Sequence, residues 1–169
     1  YEDGTGWYRK TFYWKPEEDQ RVFLRFDGIY MDSTIYVNDK KAGAWKYGYS
    51  AFEIEMTPWL GEGENEIKVS VDYQTPNSRW YSGAGIYRDV WIKTVHQCHI
   101  VSDGIYFHGQ EIGQNRWKVS IETEVEGTDC QLIYEIAEAG TSEWKILLGD
   151  EMAERLYPQE NDSVRFLFD

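Results

Sequence analysis

His96, Cys98 and His99 put two imidazoles and a thiol within four consecutive positions, a set that zinc could use. The set is not completed. The second cysteine, Cys130, is 32 positions further on, and neither cysteine sits in a C-x-x-C spacing, so no zinc pattern forms. The residues predict no metal site; Cys98 and Cys130 could pair within the second segment, but two free thiols in strands are the expectation, rather than a secreted disulfide scaffold. Acid–base chemistry has ample raw material in 30 Asp and Glu. Most of these fall at alternating strand positions or in turns, and no catalytic residue is assigned among them. The aromatic content is the third chemical signal: 8 Trp, 13 Tyr and 7 Phe in 169 residues. An aromatic face can pack against the C–H face of a pyranose, and the same rings serve equally as cross-strand and core packing.

The elements that would hold such groups are strands. Val22, Leu24 and Phe26 alternate with Phe23, Arg25 and Asp27; Ile35 and Val37 flank Tyr36; Phe52, Ile54 and Met56 alternate with Glu53 and Glu55. Ile67, Val69 and Val71 continue the pattern, as do Val90, Ile92 and Thr94. A period of two with one apolar face predicts half-buried antiparallel strands. Asn38-Asp39-Lys40-Lys41 predicts a hairpin turn and Gly61-Glu62-Gly63-Glu64-Asn65 a second, while Pro16 to Asp19 separates a first strand, Trp7 to Trp14, from the next. No stretch of residues 1–97 repeats at helical spacing over three turns. After Gln97 the alternation restarts with Trp117, Val119, Ile121, Thr123 and Val125, and further strands are predicted around Leu132–Ile136, Trp144–Leu148 and Val164–Phe168, with a short helical turn between Glu151 and Tyr157. The fold class is therefore all-β, a sandwich or jelly roll followed by a second sandwich.

The net charge of −13 is uneven. Residues 1–97 hold 12 Lys+Arg and 15 Asp+Glu, giving −3, and residues 98–169 hold 5 and 15, giving −10. The step supports a boundary near residue 97. The acidic surface argues against nucleic acid and anionic membranes as partners, and no apolar run reaches the length of a membrane span. The chain starts at Tyr1 in what reads as mid-protein sequence, so a fragment of a longer protein is expected. The compartment is left open, with the cytoplasm as working expectation.

Three stretches carry a resemblance. They are Gly6-Trp7-Tyr8-Arg9-Lys10-Thr11-Phe12; Val22 to Ser33 followed by Ile35-Tyr36-Val37-Asn38; and Pro76-Asn77-Ser78-Arg79-Trp80-Tyr81-Ser82-Gly83-Ala84-Gly85-Ile86-Tyr87-Arg88-Asp89-Val90. Tyr47-Gly48-Tyr49 before Phe52 also fits. Together they resemble the sugar-binding domain of family 2 glycoside hydrolases, of the β-galactosidase type, across nearly all of residues 3–97. The resemblance implies a jelly-roll-like, galactose-binding-domain-like β-sandwich over residues 1–97, truncated at its N-terminus. It implies an immunoglobulin-like β-sandwich over residues 98–169, truncated at its C-terminus. An unpaired sheet edge or an apolar patch is then expected where the absent parts would sit.

In that family the catalytic unit is a later (β/α)8 barrel carrying two glutamates, which in retaining hydrolysis stand about 5–5.5 Å apart. The pattern of such a barrel is missing here, so the resemblance implies a non-catalytic piece that supports the barrel of the same full-length chain. It implies a β-galactoside or related sugar as ligand, no cofactor, and an oligomer as a possible assembly. Two segments match loops that family members extend into the sugar pocket: Glu2 to Gly6 and Thr75 to Trp80. On this basis Asp3, Asn77, Arg79 and Trp80 are the expected substrate-binding residues, supplying carboxylate, amide, guanidinium and stacking ring. Gly83 and Gly85 can adopt positive φ, and Arg88 is expected as a buried or half-buried guanidinium bridging several acceptors. The competing readings are a stand-alone carbohydrate-binding module, the same piece of a β-glucuronidase or β-mannosidase, and an interaction domain without a sugar role.

Overall fold

The computed structural model describes residues 3–74, 83–113 and 116–128. The strands predicted beyond residue 131, and the helical turn near Glu151, lie outside these residues. The described chain is β-structure: β1 (Gly4–Trp14), β2 (Gln20–Phe26), β3 (Ile29–Tyr30), β4 (Ser33–Val37), β5 (Lys40–Trp45), β6 (Phe52–Glu55), β7 (Gly63–Tyr73), β8 (Gly85–Ile86), β9 (Val90–His96), β10 (His99–Gly113) and β11 (Arg116–Glu126). A single 3-10 turn, Thr57–Trp59, is the only helical element among the described residues. None of these holds a helix long and apolar enough to cross a membrane. The chain divides into two compact units, Tyr1–His96 and Gln97–Asp169.

The first unit is a sandwich. One sheet runs in the order β1-β7-β4-β5 and the other β6-β2-β9, with β3 and β8 forming a short separate pair. Alternation decides which side chains meet between the sheets. Val22, Leu24 and Phe26 of β2 are buried against Ile35 and Val37 of β4 and Ile67, Val69 and Val71 of β7. Full burial of each such side chain contributes about 1.5–3 kcal/mol. Phe26 stacks on Phe52 at 5.1 Å, and Phe52 on Trp45 at 5.1 Å, which closes the margin where β5 meets β6. Gly43 of β5 is needed there, since a Cβ on it would stand 2.4 Å from the Ile54 side chain. At the opposite margin the core face stays open. In register with buried Phe26 and Leu24, Val90 and Ile92 of β9 remain 41% and 43% exposed, and among the described residues β9 pairs on its β2 side alone.

The turns follow their chemistry where the residues are specific. Asn38 and Asp39 take φ of 48° and 62° between Val37 and Lys40, which pair, the two-residue geometry whose twist matches the flanking strands. The Gly61–Asn65 segment differs from expectation. It leads from the 3-10 turn into β7, and since β6 and β7 lie in different sheets it crosses the sandwich instead of closing a hairpin. Buried Asn65 braces the crossover: its amide oxygen accepts from Gly61 N at 2.9 Å and Asn38 Nδ2 at 2.7 Å, and its Nδ2 donates to the carbonyls of Gly61 and Gly63. One side chain thus satisfies a crossover and the neighbouring β4–β5 turn.

In the second unit β10 and β11 form a long antiparallel pair interrupted between Ile100 and Ile105, and Val119 is buried on it. Cys98 is disulfide-bonded, which corrects the expectation of free thiols.

Candidate functional site

The site grows from one end of the first sandwich. The register of β1 against β7 pairs Gly4 with Tyr73 and Thr5 with Asp72, so Asp3, exposed just before Gly4, stands beside the point where the chain leaves β7. Thr5 Oγ1 donates to Asp72 Oδ1 at 3.0 Å, and Gln74 Nε2 donates to Asp72 Oδ2 at 2.8 Å. These contacts hold the stem from which residues 75–82 depart. The chain returns at Gly83–Gly85 into β8, and Ile86 N donates to the Tyr8 hydroxyl of β1 at 3.3 Å. The segment Glu2–Gly6, expected as a loop, is strand from Gly4 onward, because Gly4, Thr5 and Gly6 pair with Tyr73, Asp72 and Val71; β1 thus begins where β7 ends. Asn77, Arg79 and Trp80 lie outside the described residues, so of the four expected contacts Asp3 alone has a described position.

Around this stem stand tyrosines that the sequence reading did not assign to the site. Tyr30, nearly buried, meets Tyr49 edge-on at 5.1 Å and Tyr73 at 6.4 Å, and Tyr49 meets Tyr47 at 5.8 Å. Tyr87 donates its hydroxyl proton to the Gly48 carbonyl at 2.8 Å, and its N–H donates to Gly28 O at 3.2 Å. Glycine is required at two of these crossings. A Cβ at Gly48 would fall 2.3 Å from the Tyr30 ring, and one at Gly28 would fall 2.5 Å from the Tyr87 ring. The outer rings present their faces: Tyr47 is 61%, Tyr49 54% and Tyr87 47% exposed. Partial desolvation among the neighbouring rings, with the Tyr30 hydroxyl, pushes the Tyr49 phenol above its ordinary range. It therefore stays neutral, able to donate or accept a hydrogen bond. Tyr47-Gly48-Tyr49 was a usable signal in the sequence. Tyr30, Tyr73 and Tyr87 were not, because only tertiary pairing brings them to that loop.

Asp27, Asp39 and Glu66 are held below the ordinary carboxylate range, by hydrogen bonds from Trp91, Lys68 and Lys68 respectively. A general acid at neutral pH needs the opposite shift. No group of three or more His, Cys, Asp or Glu among the described residues could hold a metal. Rigid rings with neutral hydroxyls, next to an exposed carboxylate, suit a polyhydroxylated neutral ligand. Arg88 differs from expectation: it is exposed, its guanidinium lying 5.5 Å over the Tyr87 ring, because β8 is only two residues long and turns the chain outward before β9.

Comparison with known proteins fits this arrangement. Residues 1–96 match the family described as glycosyl hydrolases family 2, sugar binding domain. A β-galactosidase of Bacteroides ovatus, BoGH2A, is 38% identical over 123 residues, 71% of this chain and 14% of that protein. A putative β-glucuronidase of Formosa agariphila is 34% identical over 138 residues, 80% of this chain and 13% of that protein. Among solved structures, a β-glycosidase from Bacteroides vulgatus superposes with a TM-score of 0.68 at 35% identity, covering 75% of this chain and 17% of that one. The chain thus belongs to glycosyl hydrolase family 2, through its sugar-binding domain, and spans about one-seventh of the length of these relatives.

Proposed function

We propose that this chain is the non-catalytic N-terminal part of a retaining β-glycosidase that removes terminal β-galactosyl units. The register that sets Gly4 against Tyr73 carries the reading, because it gathers Asp3 and the stem of the 75–82 loop at one tyrosine-lined end. In this reading residues 1–97 are a jelly-roll-like sandwich and residues 98–169 an immunoglobulin-like one. A (β/α)8 barrel elsewhere in the parent supplies the nucleophile and the acid/base carboxyl, about 5–5.5 Å apart. Asp3, Asn77, Arg79 and Trp80 add hydrogen bonds and a stacking surface for the sugar held by that barrel. Such contacts lower the barrier only so far as they strengthen in the transition state.

A β-glucuronidase is the second reading, favoured by the 34% identity to the Formosa agariphila relative. The parent enzyme, assayed on nitrophenyl β-galactoside and nitrophenyl β-glucuronide, separates the two. Faster turnover of the galactoside supports the first reading, faster turnover of the glucuronide the second, and release from neither overturns both. Asn77→Ala and Asp3→Ala in the parent should lower kcat/KM while leaving thermal stability unchanged; unchanged kcat/KM removes those residues from the pocket.

A further inference from the structure

The outward face of the three-stranded sheet, which shares no residue with the tyrosine cluster, carries an exposed indole hydrogen-bonded to a carboxylate. Trp91 of β9 is 55% exposed. Its Nε1–H donates to Asp27 Oδ2 at 3.0 Å. The other oxygen of Asp27 accepts from Arg25 Nε at 3.1 Å, Arg25 reaches Glu53 at 3.3 Å, and Glu53 is within 3.5 Å of Lys93 Nζ. The β-register makes this a row: Trp91 pairs with Arg25, and Arg25 with Glu53. The neighbouring row sets Lys93 beside Phe23, with the Lys93 ammonium 5.7 Å and the Arg21 guanidinium 5.2 Å from that ring.

An exposed tryptophan on a strand ordinarily has rotamers to choose from, and fixing it on binding has an entropic cost. Here the hydrogen bond to Asp27 favours one orientation in the free protein and lowers that cost. The indole's single donor is already engaged, so what it offers a ligand is its flat face. The surrounding ions are of both signs and paired with one another: Arg21 with Glu55, Arg25 with Asp27 and Glu53, Lys93 with Glu53. Such a surface attracts neither a strongly anionic nor a strongly cationic ligand. It does offer donors and acceptors side by side, as sugar hydroxyls require. We propose that Trp91, positioned by Asp27 and Arg25, forms a second saccharide site that stacks a neutral sugar unit on the outer sheet face, independent of the loop site described above. Asp27 and Arg25 are positioning residues in this site.

The test follows indole N–H resonances of the chain during titration with β-linked galactotetraose and with cellotetraose, the Trp91 signal being assigned by its loss in Trp91→Phe. Binding should shift that signal with at least one of the two probes at millimolar concentration. Trp91→Ala should weaken calorimetric affinity by about tenfold or more, the scale of losing one stacked ring, with an unchanged thermal midpoint. Asp27→Asn, which keeps an acceptor but loses the charge, should weaken binding less than Trp91→Ala. Shifts confined to Asp3–Gly6 and residues 77–80 would support the loop site and overturn this one. A silent Trp91 with both probes would also overturn it, and a larger destabilisation by Trp91→Ala in the full-length parent than in this chain would then assign the face to protein packing.

Discussion

Gly85→Ala tests the architecture of the site at its narrowest point. Gly85 takes φ of +121°, and a Cβ there would lie 2.3 Å from the Tyr8 hydroxyl, the same oxygen that receives Ile86 N. Two costs result. A side chain in that backbone region is strained by about 1–3 kcal/mol. The Tyr8 hydroxyl is the far end of a side chain 41% exposed and can swing aside, at the cost of its hydrogen bond to Ile86, about 0.5–1.5 kcal/mol. The sum, about 1.5–4.5 kcal/mol, is a substantial part of the stability of a small domain, ~5–15 kcal/mol. Urea unfolding followed by fluorescence measures it directly. The double variant separates the terms: in a Tyr8→Phe background, where the hydroxyl and its hydrogen bond are already gone, Gly85→Ala should cost only the φ strain, about 1–3 kcal/mol. A Gly85→Ala variant within about 0.5 kcal/mol of the parent sequence, the range of ordinary surface substitutions, would refute the reasoning, since neither the positive φ nor the approach of Tyr8 could then be as described.

Other parts of the molecule carry three further predictions. Asn65→Ala strips partners from Gly61 N, Asn38 Nδ2 and two carbonyls, and at about 1–3 kcal/mol for a buried group left unsatisfied a loss of about 2–4 kcal/mol is expected in denaturant unfolding. Phe26→Ala, which empties a position only 1% exposed, should cost about 3–5 kcal/mol by the same assay. Lys68 donates to Asp39 at 2.7 Å and lies 2.8 Å from Glu66. These contacts lower both carboxylates and raise Lys68. A lowered carboxylate contributes stability that is present above its unfolded pKa and lost as pH falls through its folded one; the raised ammonium contributes below its unfolded pKa and loses that contribution as pH rises through its folded one. Lys68→Met should therefore move the carbon-detected NMR titrations of Asp39 and Glu66 upward, and unmoved titrations would show that Lys68 is not their cause.

The residues made some of this legible and hid the rest. Alternation at Val22, Leu24 and Phe26, or at Ile67, Val69 and Val71, reads directly as strand because burial on one face leaves no other period. The Asn38-Asp39 turn was legible for a similar reason, as both residues tolerate left-handed backbone. The crossover at Gly61–Asn65 was not, because glycine-rich turns look alike whether the strands they join share a sheet or oppose each other. Arg88 was misjudged because a guanidinium's many donors say nothing of whether the strand before it is long enough to keep it inside. Within the site, Asp3 came from a short matching segment, whereas Tyr30, Tyr73 and Tyr87 are spread over 57 positions of sequence and meet only after β3, β7 and β8 have assembled.

The pairing of β1 with β7 and of β2 with β9 also sets a timetable. Gly4 waits for Tyr73 and Gln20 for His96, separations of 73 − 4 = 69 and 96 − 20 = 76 residues. A nascent chain emerging N-terminus first can close the β4–β5 hairpin early, but neither sheet of the first unit is complete until its last strand has left the ribosome. At about 5–20 residues per second, Gly4 and Gln20 wait roughly 4–15 s of synthesis for these strand partners. Val22, Leu24 and Phe26 can meet β4 and β6 sooner, but the core they share with Ile67, Val69 and Val71 stays incomplete until β7 has emerged.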